Sequence, residues 1–139
     1  MSIAVRYYTK SGNTLKLAKA AAEELDTRAA DLSEDLTEKA DVLFLGASLY
    51  KNTFDPQIAA FLERNEERIG VVVCFGSSAS SRSCFPKLQM FLEERGIRSY
   101  DESFTCPGHF LFLHKDRPNE KDLEDLKAFV REARAKLGV

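Results

Sequence analysis

The chain has 139 residues, of which 44% are hydrophobic and 30% are charged, and its formal net charge is −2. These values are ordinary for a globular protein, and we expect a single domain over residues 1–139. The near-neutral charge, without a basic cluster that contains aromatic residues, argues against a nucleic-acid-binding protein.

The composition also bears on the cellular compartment. No apolar run is long enough to cross a bilayer, and the first residues lead directly into a strand pattern without the apolar region of a signal peptide. The cysteines Cys74, Cys84 and Cys106 form no CxxC pair, which favours free thiols over a disulfide framework or a zinc site. The two histidines belong to no ligand pattern. We therefore expect a cytoplasmic protein that binds no metal.

The first half of the chain alternates strand and helix patterns. Its predicted elements, in chain order, are a strand at 3–8, a helix with inner positions Leu15, Ala18, Ala22 and Leu25, a weaker strand from Thr27 to Leu32, a polar connection at 33–39, a strand at 42–46 and a helix with inner positions Ile58, Phe61 and Leu62. The helices are predicted because apolar residues recur at intervals of three and four. Asp55-Pro56 predicts the start of the second helix, since aspartate is a preferred N-cap and proline is favoured in the first turn.

The second half continues the alternation. Its predicted elements, in chain order, are a strand at 71–75, a serine-rich loop, a helix with inner positions Phe85, Leu88, Phe91 and Leu92, a strand from Ile97 to about Cys106 and a helix with inner positions Leu123, Leu126, Val130, Ala133 and Leu137. Gly96 is predicted to end the third helix, and Pro118-Asn119 to open the last one. Strands that are apolar throughout are typical of a sheet buried on both faces. The chain is therefore predicted to form an α/β fold with a parallel sheet.

Open sheets of this kind bind ligands beyond the carboxyl ends of their strands, which directs attention to loops 9–14, 48–54 and 76–83. The first of these loops, Thr9-Lys10-Ser11-Gly12-Asn13-Thr14, has the composition of a phosphate-binding site. Its hydroxyls and the Asn13 amide can donate to phosphate oxygens, and Gly12 allows a positive φ and a close backbone approach. The helix that follows directs N–H groups and the positive end of its dipole towards an anion. The loop has neither Walker A nor G-x-G-x-x-G spacing, which argues against a dinucleotide site.

These six residues resemble the FMN-phosphate motif of the flavodoxin family, Thr-x-Thr/Ser-Gly-Asn-Thr, at the place that the motif occupies between the first strand and the first helix. The resemblance extends over the whole chain in the order and length of its elements, and corresponds to the short-chain form of the family. It implies a three-layer α/β sandwich whose five parallel strands have the order 2-1-3-4-5. It also implies noncovalent FMN, with all six residues as candidates for binding it.

The loop after the third strand resembles a second FMN-binding segment of the family. Gly46-Ala47-Ser48-Leu49-Tyr50 is similar to Gly-x-Ser-Thr-Trp, which implies that Tyr50 stacks on one face of the flavin ring. The resemblance places Lys51-Asn52 in the turn that faces the flavin N5 atom. Asparagine tolerates positive φ, so the sequence is compatible with a flip of the Lys51-Asn52 peptide in that turn.

The loop after the fourth strand resembles the family less closely. Phe75-Gly76-Ser77-Ser78 is similar to an apolar-Gly-x-Gly segment whose amides face the flavin pyrimidine, but Ser78 replaces the second glycine and Ala79 the usual acidic residue. Arg82 falls where many flavodoxins have a second stacking tyrosine. Arginine can lie flat on an aromatic ring, so Arg82 is included among the candidate cofactor-binding residues.

The function that the resemblance implies is electron transfer between redox partner proteins by a monomer that contacts neither nucleic acid nor membrane. One alternative is a small flavin-dependent NAD(P)H or quinone reductase, although such enzymes on this fold are usually longer and dimeric. Another is a flavodoxin-like binding module with weak or no flavin affinity, which the departures in the fourth-strand loop suggest. Cysteine-dependent phosphatase chemistry is disfavoured because the first loop has no cysteine and Cys74 lies in an apolar strand.

Overall fold

The computed structural model describes residues 2–10, 12–48, 54–78, 85–108 and 116–139, with only the backbone described at Ser48 and Ser78. The strands are β1 (Ile3–Tyr8), β2 (Ala29–Asp31), β3 (Ala40–Ser48), β4 (Ile69–Ser78) and β5 (Arg98–Pro107), and the helices are α1 (Asn13–Glu24), α2 (Pro56–Asn65), α3 (Phe85–Glu94) and α4 (Glu120–Leu137). A short 3₁₀ helix, Glu66–Arg68, continues from α2. Within these ranges no helix combines the length and the apolar character needed to span a bilayer.

The strands form a five-stranded parallel sheet in the order β2-β1-β3-β4-β5, which confirms the predicted topology. β1 pairs with β2 on one side and with β3 on the other, so the direction of winding reverses beside β1. A crevice at the carboxyl ends of β1 and β3 is the usual ligand site of such sheets.

Both faces of the sheet are covered by helices, as expected for a three-layer sandwich. Alternate residues of a strand point to opposite faces. In β3, Leu43 and Leu45 pack in one core, and Val42 and Phe44 in the other. The first core contains inner residues of α2 and α3, namely Ile58, Phe61, Leu62, Leu88 and Leu92. The second contains inner residues of α1 and α4, namely Leu17, Ala18, Ala21, Leu126, Val130 and Ala133.

The helix ends follow the predicted signals. Asp55 caps α2, accepting a hydrogen bond at 2.9 Å from the N–H of Gln57. Gly96, two residues after the end of α3, has φ 73°, and the N–H of Ile97 closes that turn on the carbonyl of Leu92 at 2.9 Å. Asn119 opens α4 in a capping box with Asp122. These helix ends could be predicted from the sequence because each capping hydrogen bond joins residues only a few positions apart.

The strands differ from the prediction mainly in their bounds. β3 and β4 extend beyond their apolar runs at both ends, whereas β2 is shorter than the predicted segment from Thr27 to Leu32. The predicted polar connection at 33–39 contains turns and bends. β5 begins after Ile97 and its register with β4 shifts between Val72 and Cys74.

Candidate functional site

The carboxyl ends of four strands meet at one edge of the sheet. Tyr8 of β1 pairs with Ala47 of β3, Ala47 pairs with Gly76 of β4, and Gly76 pairs with Thr105 of β5. The loops after β1, β3 and β4, which the sequence predicts to bind a ligand, therefore start side by side. Residue 108, directly after β5, starts at the same edge.

The turn between β1 and α1 is held by its own residues. The N–H of Gly12 donates to Thr9 Oγ1 at 2.9 Å, and the N–H of Lys16 donates to the Gly12 carbonyl at 3.3 Å. Gly12 has φ 88°, in the left-handed region, and a Cβ built on it meets no heavy atom within 4 Å. Glycine is required here by backbone conformation, and the space beside its Cα is open.

The amino terminus of α1 differs from that of α4. The N-cap of α1 is Gly12, which has no side chain to cap the helix, and no acidic residue lies in the first turn, whereas Asn119 caps α4 and Glu120 and Asp122 lie in its first turn. The first N–H groups of a helix have no acceptor within the helix, and the positive end of the dipole lies there. Of these two helix starts, only that of α1 lacks an acidic side chain that would repel an anion.

The first turn of α1 packs on the ends of β3 and β4. Thr14 is fully buried, and its Oγ1 lies 3.4 Å from Ser77 Oγ. A Cβ on Gly46 would come within 2.7 Å of the Phe75 ring and 3.0 Å of Thr14 Cγ2, so this helix start needs glycine at position 46. Because Thr14 points towards the strands, the helix start is fixed relative to the sheet edge.

Lys10 lies on the α2 side of the same loop. Its ammonium group is 3.8 Å from a carboxylate oxygen of Asp55, and its side chain is 59% exposed. Beside this pair, Gln57 Nε2 donates to the hydroxyl of Tyr8 at 3.3 Å. The start of α2 is thus linked to the end of β1 and the loop that follows.

The described residues include part of the predicted site. Thr9, Lys10, Gly12, Asn13 and Thr14 lie together at the turn into α1, and Gly76 and Ser77 lie at the end of β4. Phe75 is buried under Gly46, so only its backbone reaches the site edge. At Ser48 and Ser78 the backbone lies at this edge. The predictions for Ser11, Leu49, Tyr50, Lys51, Asn52 and Arg82 lie outside the described residues.

Sequence reasoning missed three residues around the site. Gly108 packs on Asn13 and Ser77, Asp55 pairs with Lys10, and Tyr8 accepts from Gln57. The signal for Gly108 was its place directly after the last predicted strand, at the edge where the other loops start. Asp55 was recognised only as a helix cap, and its contact with Lys10 depends on tertiary structure.

The two described cysteines, Cys74 and Cys106, are buried free thiols. Burial raises the pKa of Cys106 to about 12, and the nearby Asp122 carboxylate acts in the same direction against Arg117. A thiol with this pKa stays protonated at neutral pH, and protonated thiols are poor nucleophiles. Cys106 is therefore poorly suited to act as a nucleophile.

The topology and this edge define a doubly wound α/β protein whose candidate site lies at the strand-order reversal. Neither a protein-family model nor a curated protein sequence matches the chain. Among solved structures, the chain is similar to a flavodoxin from the domain Archaea, with a TM-score of 0.80, 17% identity and full coverage of both chains.

Two further solved structures give the same result. Flavodoxin 1 from Bacillus cereus has a TM-score of 0.75 at 20% identity, over 97% of this chain and 98% of that one. A short-chain flavodoxin associated with a bacterial microcompartment has a TM-score of 0.70 at 20% identity, over 99% of each chain. The chain therefore has the flavodoxin fold.

Proposed function

We propose that the chain is an FMN-binding flavoprotein that carries electrons between redox partner proteins. The observation that carries this proposal is the start of α1. Its N-cap is Gly12, which has no capping side chain, and its first turn has no acidic residue, at the edge where the strand order reverses. The phosphate-loop motif of the sequence coincides with this position.

The residues present fit a phosphate monoester. The open space at Gly12 allows an anion to approach the backbone closely, and the Thr9–Gly12 hydrogen bond holds the turn in shape. The N–H groups of the first turn of α1, at Asn13 and Thr14, would bind phosphate oxygens with charge-assisted hydrogen bonds. The helix dipole adds to this attraction without a charged side chain.

The ring portion of FMN would extend over the ends of β3 and β4, where the backbone of Ser48 and Ser78 lies beside the phosphate loop. The bound flavin would supply the redox chemistry, and the chain would supply binding, orientation and local electrostatics. The sequence-based assignment of Tyr50 and Arg82 to the two walls of the ring site remains a prediction.

Flavin binding is tested by the visible absorption spectrum and by fluorescence titration. We expect flavin absorption bands that stay with the protein after desalting. We also expect FMN to bind at least about tenfold more tightly than riboflavin, since loss of one charge-assisted contact costs this much or more. Equal affinity for the two flavins, or no retained flavin after reconstitution, would contradict the assignment.

The carrier role is tested separately with the FMN-loaded protein. NAD(P)H and a quinone are added without any partner protein, and NAD(P)H absorbance is followed. We expect no steady consumption. Steady turnover would identify a reductase and leave FMN binding itself unaffected.

A further inference from the structure

We infer that Gly108 is a positioning residue for the phosphate loop, acting through the side chain of Asn13. This inference rests on the proposed FMN binding and assigns a role to the residue directly after β5, which the phosphate-loop motif does not include. The supporting observations are the contacts that a side chain at position 108 would make.

Gly108 is buried against two side chains of the site. A Cβ on it would lie 2.9 Å from Asn13 Nδ2, 3.0 Å from Ser77 Cβ and 3.1 Å from Ser77 Oγ. All three distances are shorter than ordinary van der Waals contact. The backbone of Gly108 therefore lies directly against the Asn13 amide, with Ser77 beside it.

The need for glycine at position 108 comes from packing. The described glycines with positive φ are Gly12, Gly96 and Gly138, and Gly108 is not among them. At these three a Cβ meets no heavy atom within 4 Å, whereas at Gly108 it meets two side chains. Gly12, Gly96 and Gly138 are thus needed for their backbone conformation, whereas Gly108 is needed because two side chains lie close to its backbone.

Asn13 is the group that a larger residue at position 108 would displace. Ser77 Cβ is held by its strand and by the contact of Ser77 with Thr14, whereas the Asn13 amide is the far end of a side chain. Asn13 is the first residue of α1 and only 7% exposed. Displacing its amide changes the surroundings of the helix start where the phosphate would bind. The backbone at the ends of β3 and β4, where the ring would lie, should stay in place when position 108 is substituted.

The first test compares FMN and riboflavin binding to Gly108→Ala. We expect FMN affinity to fall about three- to tenfold, the factor that corresponds to one displaced rotamer, while riboflavin affinity stays within about twofold. Gly70→Ala is the matched control. A Cβ on Gly70 would lie 2.4 Å from the Asp41 carbonyl oxygen at the opposite end of the sheet. This control should lower stability and keep the wild-type preference for FMN.

The second test asks whether the effect passes through Asn13. In an Asn13→Ala background the clash with the amide is gone, so adding Gly108→Ala should change FMN affinity by less than about twofold. The same loss in both backgrounds would overturn the inference. If Gly108→Ala alone does not fold, recovery of folded protein in the double variant supports the contact, and failure of the double variant to fold overturns it.

The third test needs no flavin. In the ligand-free protein, Gly108→Ala should shift the side-chain amide NMR signals of Asn13, and Gly70→Ala should leave them unchanged. If wild-type protein shows no preference for FMN, the proposed function fails together with this inference. If the wild type prefers FMN, and Gly108→Ala keeps both that preference and the Asn13 signals, the inference alone is wrong.

Discussion

At the scale of single residues, Gly12 and Gly96 form a natural pair for separating backbone strain from ligand binding. Both have positive φ, at 88° and 73°, and a Cβ on either meets no heavy atom within 4 Å. Substitution by alanine adds no clash at either position, and the left-handed conformation costs about 1–2 kcal/mol for an L-residue. We expect similar losses in the free energy of unfolding from Gly12→Ala and Gly96→Ala in chemical denaturation.

The two variants should differ in flavin binding. Gly12 lies where the phosphate would bind, whereas Gly96 follows α3. Gly12→Ala should weaken FMN binding in a fluorescence titration, and Gly96→Ala should not. Equal FMN affinities in the two folded variants would place the phosphate elsewhere.

Thr14 gives a second test at this scale. Its hydroxyl is buried and lies 3.4 Å from Ser77 Oγ, so Thr14→Val removes a polar group between the helix start and β4. We expect FMN binding to weaken by about 0.5–1.5 kcal/mol, the range for a neutral hydrogen bond, because loss of this contact loosens the helix start whose N–H groups would bind the phosphate. Thr14→Ser keeps the hydroxyl and should recover most of this affinity. If valine and serine behave alike, the hydroxyl has no role in binding.

At the scale of elements, a buried carboxylate, Asp122, lies in the first turn of α4. Arg117 donates to both oxygens of Asp122 at 2.6 Å, and the N–H of Asn119 donates to one of them at 2.9 Å. The Arg117 hydrogen bonds are the largest cause that holds the pKa of Asp122 below its ordinary value, against the effect of burial. These contacts fix the start of α4 next to Cys106, whose pKa the Asp122 carboxylate raises.

This pairing predicts a pH dependence of stability. Because the pKa of Asp122 is lower in the folded state, its contribution is present above the unfolded pKa of about 4 and is lost as the pH falls through the folded value. We expect Asp122→Asn to lower the unfolding free energy by about 1–3 kcal/mol at pH 7. The difference from wild type should shrink below about pH 4.

Asp125→Asn is the matched control for this prediction. Asp125 pairs with Lys121 one turn along α4, and both side chains are mostly exposed. Exposed pairs of this kind contribute about 0–1 kcal/mol. A difference between wild type and Asp122→Asn that stayed constant from neutral to acidic pH would mean that the carboxylate acts through packing alone.

The elements also explain how far sequence-based prediction reached. Strands such as β3 and β4 were found because their central residues are buried on both faces and apolar. The edge strands β2 and β5 were the uncertain ones, since an edge strand has solvent on one side and tolerates charged residues such as Asp101 and Glu102. Continuous apolar runs therefore located the central strands of the sheet better than its edge strands.

At the scale of the whole molecule, the candidate site could be predicted in part because its key segment is contiguous. Thr9 to Thr14 are consecutive in the sequence between a strand and a helix pattern, so their composition alone indicates phosphate binding. The contact of Gly108 with Asn13 joins β5 to α1 across the sheet, and that of Lys10 with Asp55 joins β1 to α2. The sequence indicates that Gly108 follows the last strand, but it predicts neither contact, because each contact depends on the parallel order of the strands.

The central claim is that the start of α1 binds the phosphate of FMN, and backbone amide NMR tests it most directly. FMN should shift the amide signals of Gly12, Asn13 and Thr14 together with those of Ser48 and Ser78. Riboflavin should shift only the latter two strongly, since it lacks the phosphate. The amide of Gly70, at the opposite end of the sheet, should stay unchanged with both ligands. Equal shifts at Gly12 with FMN and riboflavin, or shifts centred on the amino ends of the strands, would contradict the account.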